Sequence, residues 1–263
     1  MKKFVLALTT LAAFTGSALA ADMAPRAYSK APAPMVVAPS WTGFYMFGGI
    51  GGGIYDADSY WYNNTTGAPY VVNQRQGGDG WFGTVGAGYD WQFNSSWVGG
   101  LFADGQFGSL KGSIPGGFAG VAVTGSEKLK DTWAVGARLG YLVAPNVLSY
   151  VNAGYTQSYW SGSQLAPITG AAATVSTPSF NSPGWFVGGG VENNLNIFGI
   201  SAPGWFMKTE YRAAYFGTKN LVETSLATGL PSIVTTTYKP FVETISTSLV
   251  YRFNWTGPVV AKY

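Results

Sequence analysis

Charged side chains are scarce in this 263-residue chain, 15 Lys plus Arg and 12 Asp plus Glu, and six fall where chemistry would have to be done. Asp104, Arg138, Glu192, Lys208, Glu210 and Arg212 lie on one side of an alternating pattern, with both signs represented. Three chemistries suit such a set. Two carboxylates such as Glu192 and Glu210 can divide general acid and base work. Charges of both signs can line a gated ion path. Opposite charges withdrawn from water can also neutralise one another and tie walls together, because an unpaired buried charge is costly. The first chemistry needs a nucleophile with a base, and the chain has neither histidine nor cysteine. That removes Ser-His-Asp and Cys-His pairs, imidazole bases and the usual zinc sites. The expectation is a structural charge network, with no catalytic residue, no metal and no cofactor.

The elements that position these residues read with period two. Trp81, Val85, Ala87, Tyr89, Trp91 and Phe93 alternate with Thr84, Gly86, Gly88, Asp90 and Gln92, one face apolar and the other small or polar. Trp133, Val135, Ala137, Leu139 and Tyr141 alternate with Thr132, Gly136, Arg138 and Gly140, and the same arrangement recurs near 101–108, 150–155, 185–192, 207–215 and 244–253. With a Gly-rich opening segment from Gly43 to Tyr55, this predicts eight strands of roughly 12 to 15 residues, longer than the usual 5 or 6 and suited to a tilted membrane crossing. Short connections are expected at 94–96 and 144–146, with a longer one at 196–204. Long polar loops are expected at about 56–78, 110–127, 161–182 and 218–240.

Loops that segregate by length, with an even strand count, imply an all-β, eight-stranded antiparallel up-and-down transmembrane β-barrel. In hydrocarbon every unpaired backbone N–H or C=O costs several kcal/mol, so a chain without a spanning helix crosses only as a closed sheet. Charged residues make up only 10% and aromatics 16% of the chain. The aromatics fit interfacial girdles, for which Trp41, Trp81, Trp91, Trp97, Trp133, Trp185, Trp205 and Tyr251 are the expected members. The inward glycines let walls approach, and none of the glycine clusters fits a phosphate-binding loop.

Lys2 and Lys3 before an apolar run, then Ala18-Leu19-Ala20, read as a secretory signal over residues 1–20, cleaved after Ala20. Residues 21–40 read as a Pro/Ala-rich periplasmic linker, residues 41–255 as the barrel and 256–263 as a C-terminal tail. Leaving out Lys2 and Lys3, the 15 basic residues fall to 13 against 12 acidic ones, and no basic patch points to nucleic acid.

The stretches "WTGFYMFGGIGGG" at Trp41, "VGAGYDWQF" at Val85, "WAVGARLGY" at Trp133, "GGGVENNL" at Gly188, "MKTEYR" at Met207 and "LVYRF" at Leu249 resemble, in order and spacing, the small porin-like outer-membrane β-barrel family of α-proteobacteria, with OmpA-like eight-stranded barrels. The resemblance implies residence in the outer membrane, envelope integrity and display of antigenic loops as the role, lipid and lipopolysaccharide as surroundings, the barrel-assembly machinery as a partner in biogenesis, and a possible homo-oligomer. It also implies that Asp104, Arg138, Glu192, Lys208 and Glu210 face the lumen. Phe102 departs from it, because an acidic residue is common there, and the chain runs past Phe253 as "NWTGPVVAKY". The alternative roles are a narrow porin for small solutes, or ligand or host-surface binding by loops, with haem held by tyrosines such as Tyr60, Tyr62, Tyr159 and Tyr238 in place of histidine.

Overall fold

The computed structural model describes residues 40–118, 121–197 and 200–253; the expected signal segment, all of the linker but Ser40, and the tail lie outside them. Eleven strands are described: β1 (Gly43–Asn63), β2 (Pro69–Gln92), β3 (Trp97–Phe118), β4 (Val121–Ala144), β5 (Val147–Trp160), β6 (Ser163–Pro167), β7 (Val175–Thr177), β8 (Phe180–Ile197), β9 (Ile200–Phe216), β10 (Lys219–Ser225) and β11 (Pro231–Arg252). Eight of them, β1, β2, β3, β4, β5, β8, β9 and β11, pair antiparallel in sequence order, and β11 returns to β1. The ring is closed, so no edge is left to present unpaired backbone to lipid.

The register fixes the geometry of the ring. Followed from strand to strand, Phe44 pairs with Tyr89, then Leu101, Ala137, Ala153, Val187, Ala213 and Glu243, and arrives back on β1 at Ile54, ten residues above its start. A shear of ten on eight strands, at about 3.3 Å per residue and 4.8 Å between strands, tilts the strands by about 40°. The interior at this size is narrow enough for side chains to fill.

At one end of the barrel the connections are tight. Asn94 Oδ1 accepts from the backbone N–H groups of Ser96 and Trp97 (2.8 and 2.9 Å) to close β2–β3, and Pro145–Asn146 joins β4 to β5. The β8–β9 connection is shorter than the expected 196–204, because Ile197 already pairs with Ile200. At the other end the expected long loops are mostly strand. β1 and β11 stay paired from Tyr45↔Arg252 to Asn63↔Val234. Where β5, β8 and β9 stop, β6, β7 and β10 take over the wall: β4 pairs with β6, β6 with β7, β7 with β10 and β10 with β11. The correction has a simple cause. Polar residues such as Asp56, Asp58 and Ser59 looked like loop, but Tyr55, Ala57, Ser59 and Trp61 are all buried, so the period of two continues into water.

Outward rings form two belts, with Phe44, Trp91, Trp97, Tyr141 and Trp205 at the tight-turn end and Trp81, Phe107, Trp133, Tyr155, Trp185 and Tyr215 further up. Ten residues from Trp97 to Phe107 at this tilt rise about 25 Å, the height of an apolar band spanning a bilayer. Trp41 is a correction: it is 1% exposed and lies inside the ring, not in a girdle. In β1 the even residues Phe44, Met46, Ile50 and Ile54 face out while Tyr45, Phe47 and Tyr55 face in, the reverse of the parity legible in β2. Trp41 shares the inward face, and its indole N–H donates to Pro145 O (3.2 Å) across the tight-turn mouth.

Candidate functional site

Inside the membrane-spanning half, four carboxylates meet four cations. The structure brings the six expected residues into the lumen, all buried, and adds two that the sequence reading left out of the network, Asp90 and Arg252. Asp90 shares the inward parity of Gly86 and Gly88, and Arg252 that of Ser246 and Ser248, so parity alone was a sufficient signal for both.

The side chains fall into two connected groups. In the first, Arg138 Nε and Nη2 donate to Asp90 Oδ1 and Oδ2 (3.0 and 2.5 Å), and its Nη1 donates to Glu192 Oε2 (3.0 Å). Arg252 Nε donates to Glu192 Oε1 (2.8 Å), and its Nη2 lies 2.9 Å from Asp90 Oδ2, which closes a ring of two guanidiniums and two carboxylates. In the second, Arg212 donates to both oxygens of Asp104 (3.0 and 2.7 Å) and to Glu210 Oε1 (2.8 Å). Tyr150 OH donates to Glu210 Oε2 (2.8 Å), and Lys208 Nζ lies 3.7 Å from that oxygen. Arg138 thus serves Asp90 and Glu192, whereas Asp104, four residue pairs from the Asp90 rung along the β2–β3 ladder, belongs to Arg212.

Glycine makes this arrangement possible. Asp90 and Arg138 flank Gly100 on the β2–β3–β4 rung, and a Cβ there would come within 2.0 Å of Asp90 Oδ1. Rings occupy the remaining space. The guanidinium of Arg138 lies 4.4 Å from the Tyr45 centroid, Arg212 4.3 Å from Phe186 and Arg252 4.3 Å from Trp41, while the Lys208 ammonium stands 3.3 Å from the Phe47 centroid. Phe102, the position that departs from the expected acidic pattern, packs 6.1 Å from Phe186. Bidentate, ring-stacked arginines are a desolvated, geometrically fixed form of ion pairing, and every carboxylate among the eight residues already has a cationic partner.

Outside the bilayer the interior chemistry changes. Glu127 and Glu223 are each 1% exposed. Thr236 Oγ1 donates to Glu223 Oε1 (2.9 Å), and Glu127 Oε1 has no hydrogen-bond partner. Burial pushes the Glu127 carboxyl up to about 8 and the Glu223 carboxyl up as well, since a low-dielectric site disfavours the charged form. The sequence reading singled out neither. The four tyrosines expected as haem ligands do not converge: Tyr60 and Tyr159 are exposed on the outer wall, the Tyr62 ring lies tilted beside Tyr60 (5.5 Å), and Tyr238 is buried inside. Of the expected girdle, Trp81, Trp91, Trp97, Trp133, Trp185, Trp205 and Tyr251 do face outward, several in ring pairs such as Trp133–Tyr155 at 5.4 Å and Trp205–Tyr251 at 5.1 Å.

A closed eight-stranded sheet with an apolar, ring-bordered outside and a charge-paired inside defines a transmembrane β-barrel. Residues 6–253 match the Outer membrane protein beta-barrel domain family, and the chain belongs to it. It is 30% identical over 226 residues to the 31 kDa outer-membrane immunogenic protein of Brucella melitensis, covering 85% of this chain and 90% of that one, and equally to its Brucella suis counterpart. The outer-membrane protein OprG of Pseudomonas aeruginosa has a similar fold (TM-score 0.50, 13% identity, 80% of this chain and 97% of that chain). The protein is thus an outer-membrane β-barrel.

Proposed function

We propose that this barrel is a non-enzymatic, plugged outer-membrane protein that contributes to envelope integrity and raises a stiff, strand-built surface above the bilayer. The observation that carries the reading is the filling of the lumen. Trp41, Tyr45, Phe47, Phe102, Tyr150 and Phe186 are all buried inside the ring together with the eight charged residues, a filling that supports a plugged lumen. The narrow-porin alternative requires both salt-bridged groups and these rings to move together. The lack of histidine and cysteine, and the engagement of Glu192 and Glu210 by arginines, support a role without catalysis.

The extracellular half, built from the upper parts of β1–β4 and β11 with β6, β7 and β10, is the surface that antibodies or host molecules would meet. Lipid and lipopolysaccharide would contact the apolar band, and assembly would pass through the machinery that inserts barrels; side-by-side association of copies stays within this reading. Single-channel recording in planar bilayers tests it. Refolded full-length protein is expected to give no steady stepwise conductance, and reproducible openings would refute the plugged reading.

A further inference from the structure

The lower lumen repeats one arrangement, a cation held between carboxylates and a ring face. The extracellular half supplies the carboxylates and the rings without the cation. Along β1, Ser59 lies between Tyr55 and Trp61; along β4, Glu127 lies between Leu129 and Val123; along β11, Thr236 lies between Tyr238 and Val234. These positions stack a polar layer between two apolar ones. Below it Trp160 packs 4.9 Å from Tyr55 and 5.3 Å from Tyr238, and above it Trp61, Ile114, Val123, Leu165 and Val234 form a separate cluster.

The polar layer holds orphaned groups of both kinds. Glu127 Oε1, Gln76 Oε1 and Ser59 Oγ are buried acceptors with no hydrogen-bond partner, and the donors Gln76 Nε2, Tyr238 OH and Trp61 Nε1 are unpartnered beside them; a buried polar group left unpaired is costly. Lys219 is the described cation that shares the inward register, opposite Tyr238; it is part-exposed and forms no ion pair among the described residues. The other cations of this half, Arg75, Lys111, Lys128, Lys130 and Lys239, lie on the outward parity or, at Lys130, on a bulge open to solvent. The β2–β3 pairing ends close to this layer. The β2–β3 register runs no higher than Gly78↔Gly112, above which β2 follows β1 and β3 follows β4. Gln76 lies two residues beyond one side of that seam and Glu127 pairs with Gly112 on the other, with Tyr55 OH donating to the Glu127 backbone carbonyl (3.3 Å).

We propose that the extracellular half of the barrel takes up an alkylammonium group through the end of the β2–β3 seam, with Glu127 as its counter-ion and Gln76 Oε1 and Ser59 Oγ as further acceptors. An ammonium brings three donors, enough to reach the three orphaned oxygens while Gln76 Nε2 and Tyr238 OH turn aside, and Trp160 and Tyr238 provide ring faces of the kind that attract cations. A metal ion suits the layer less well, because no group of three or more His, Cys, Asp or Glu able to hold one occurs among the described residues. The same head group occurs on a free polyamine and on a lysine side chain of a peptide.

The test uses refolded full-length protein in detergent, with folding verified by heat-modifiable gel mobility. Putrescine, Nα-acetyl-lysine-N-methylamide and CaCl2 are titrated at constant ionic strength, read by calorimetry and tryptophan fluorescence. Saturable binding of either amine is expected, weakened about tenfold or more in Glu127→Gln as a charge-assisted contact is lost, and not displaced by Ca2+. Preference for putrescine identifies a polyamine, and preference for the blocked lysine identifies a peptide. Should Glu127→Gln fail to fold, Gln76→Leu serves instead and is expected to weaken binding several-fold. No saturable binding of either amine, unchanged affinity in the variant, or displacement by Ca2+ would overturn the proposal.

Discussion

Replacing Arg138 with Met keeps an apolar stem of similar length and removes three charge-assisted hydrogen bonds, two to Asp90 and one to Glu192. Both carboxylates are fully buried, with side-chain exposures of 0%, so neither can recover its hydration. Arg252 still touches both, which limits the loss but leaves two negative charges on one guanidinium. Removing one partner of a buried pair costs roughly 3–5 kcal/mol, most of it the penalty on the stranded charge. Neutralising that charge is therefore expected to restore much of the stability. Arg138→Met combined with Asp90→Asn should be about 2 kcal/mol more stable than the sum of the single effects, within the range for contacting residues. The same cycle run with Asp104→Asn should show a much smaller coupling, since Asp104 belongs to Arg212. The assay is reversible urea unfolding of the protein in lipid vesicles, followed by tryptophan fluorescence, at low and high salt. Salt should change the couplings little, because buried pairs are poorly screened. A single-variant loss under about 1 kcal/mol, or a coupling to Asp90 no larger than the roughly 0.3 kcal/mol scatter of independent sites, would refute the assignment of this ring.

Two further outcomes follow from packing and protonation. A Cβ at Gly49 would meet the Thr247 carbonyl at 2.2 Å and the Ser248 Cα at 2.5 Å, whereas one at Gly48 meets only the Thr84 carbonyl at 3.9 Å. Gly49→Ala should thus destabilise by about 1–3 kcal/mol through overpacking and Gly48→Ala by no more than about 0.5 kcal/mol; equal urea midpoints for the pair would contradict the inward placement of Gly49. For Glu127, burial raises the folded carboxyl from 4.5 to about 8, so the folded state holds a proton that the unfolded chain releases from about pH 4.5 upward. Its contribution is complete below that value and is lost as pH rises through 8, on the order of a few kcal/mol. Ligand-free Glu127→Gln should therefore be less sensitive to pH between 5 and 9 than the parent, and parallel unfolding curves for the two would count against the burial of this carboxyl.

The eight-strand ring was legible because its outer face meets hydrocarbon for about ten residues per strand, and nothing but strict alternation satisfies oil and lumen at once. The same logic carried the inward placement of Asp104, Arg138 and Glu192. It failed in β1, where Gly48, Gly49, Gly51, Gly52 and Gly53 leave Ile50 alone to mark a face, and Trp41 reads as one more girdle ring. It failed again above the upper belt. There the outer face meets water instead of oil, so Asp56 and Ser59 read as loop although the wall continues through them, and Glu127 and Glu223 give no sign of facing inward. Salt-bridge partners across the lumen were out of reach for another reason: alternation gives the face of a residue, while the pairing of Arg138 with Asp90 depends on the register of two neighbouring strands and on the bare backbone of Gly100 between them.

The central claim is a closed ring whose outward parity is odd in β4 and even in β1. Nitroxide labels placed singly at residues 133–141 and 44–50 of the protein in lipid vesicles test it most directly. Relaxation by oxygen should peak at 133, 135, 137, 139 and 141 and at 44, 46, 48 and 50, with the intervening sites shielded from it. Peaks of the same parity in both strands, or no alternation at all, would contradict the account.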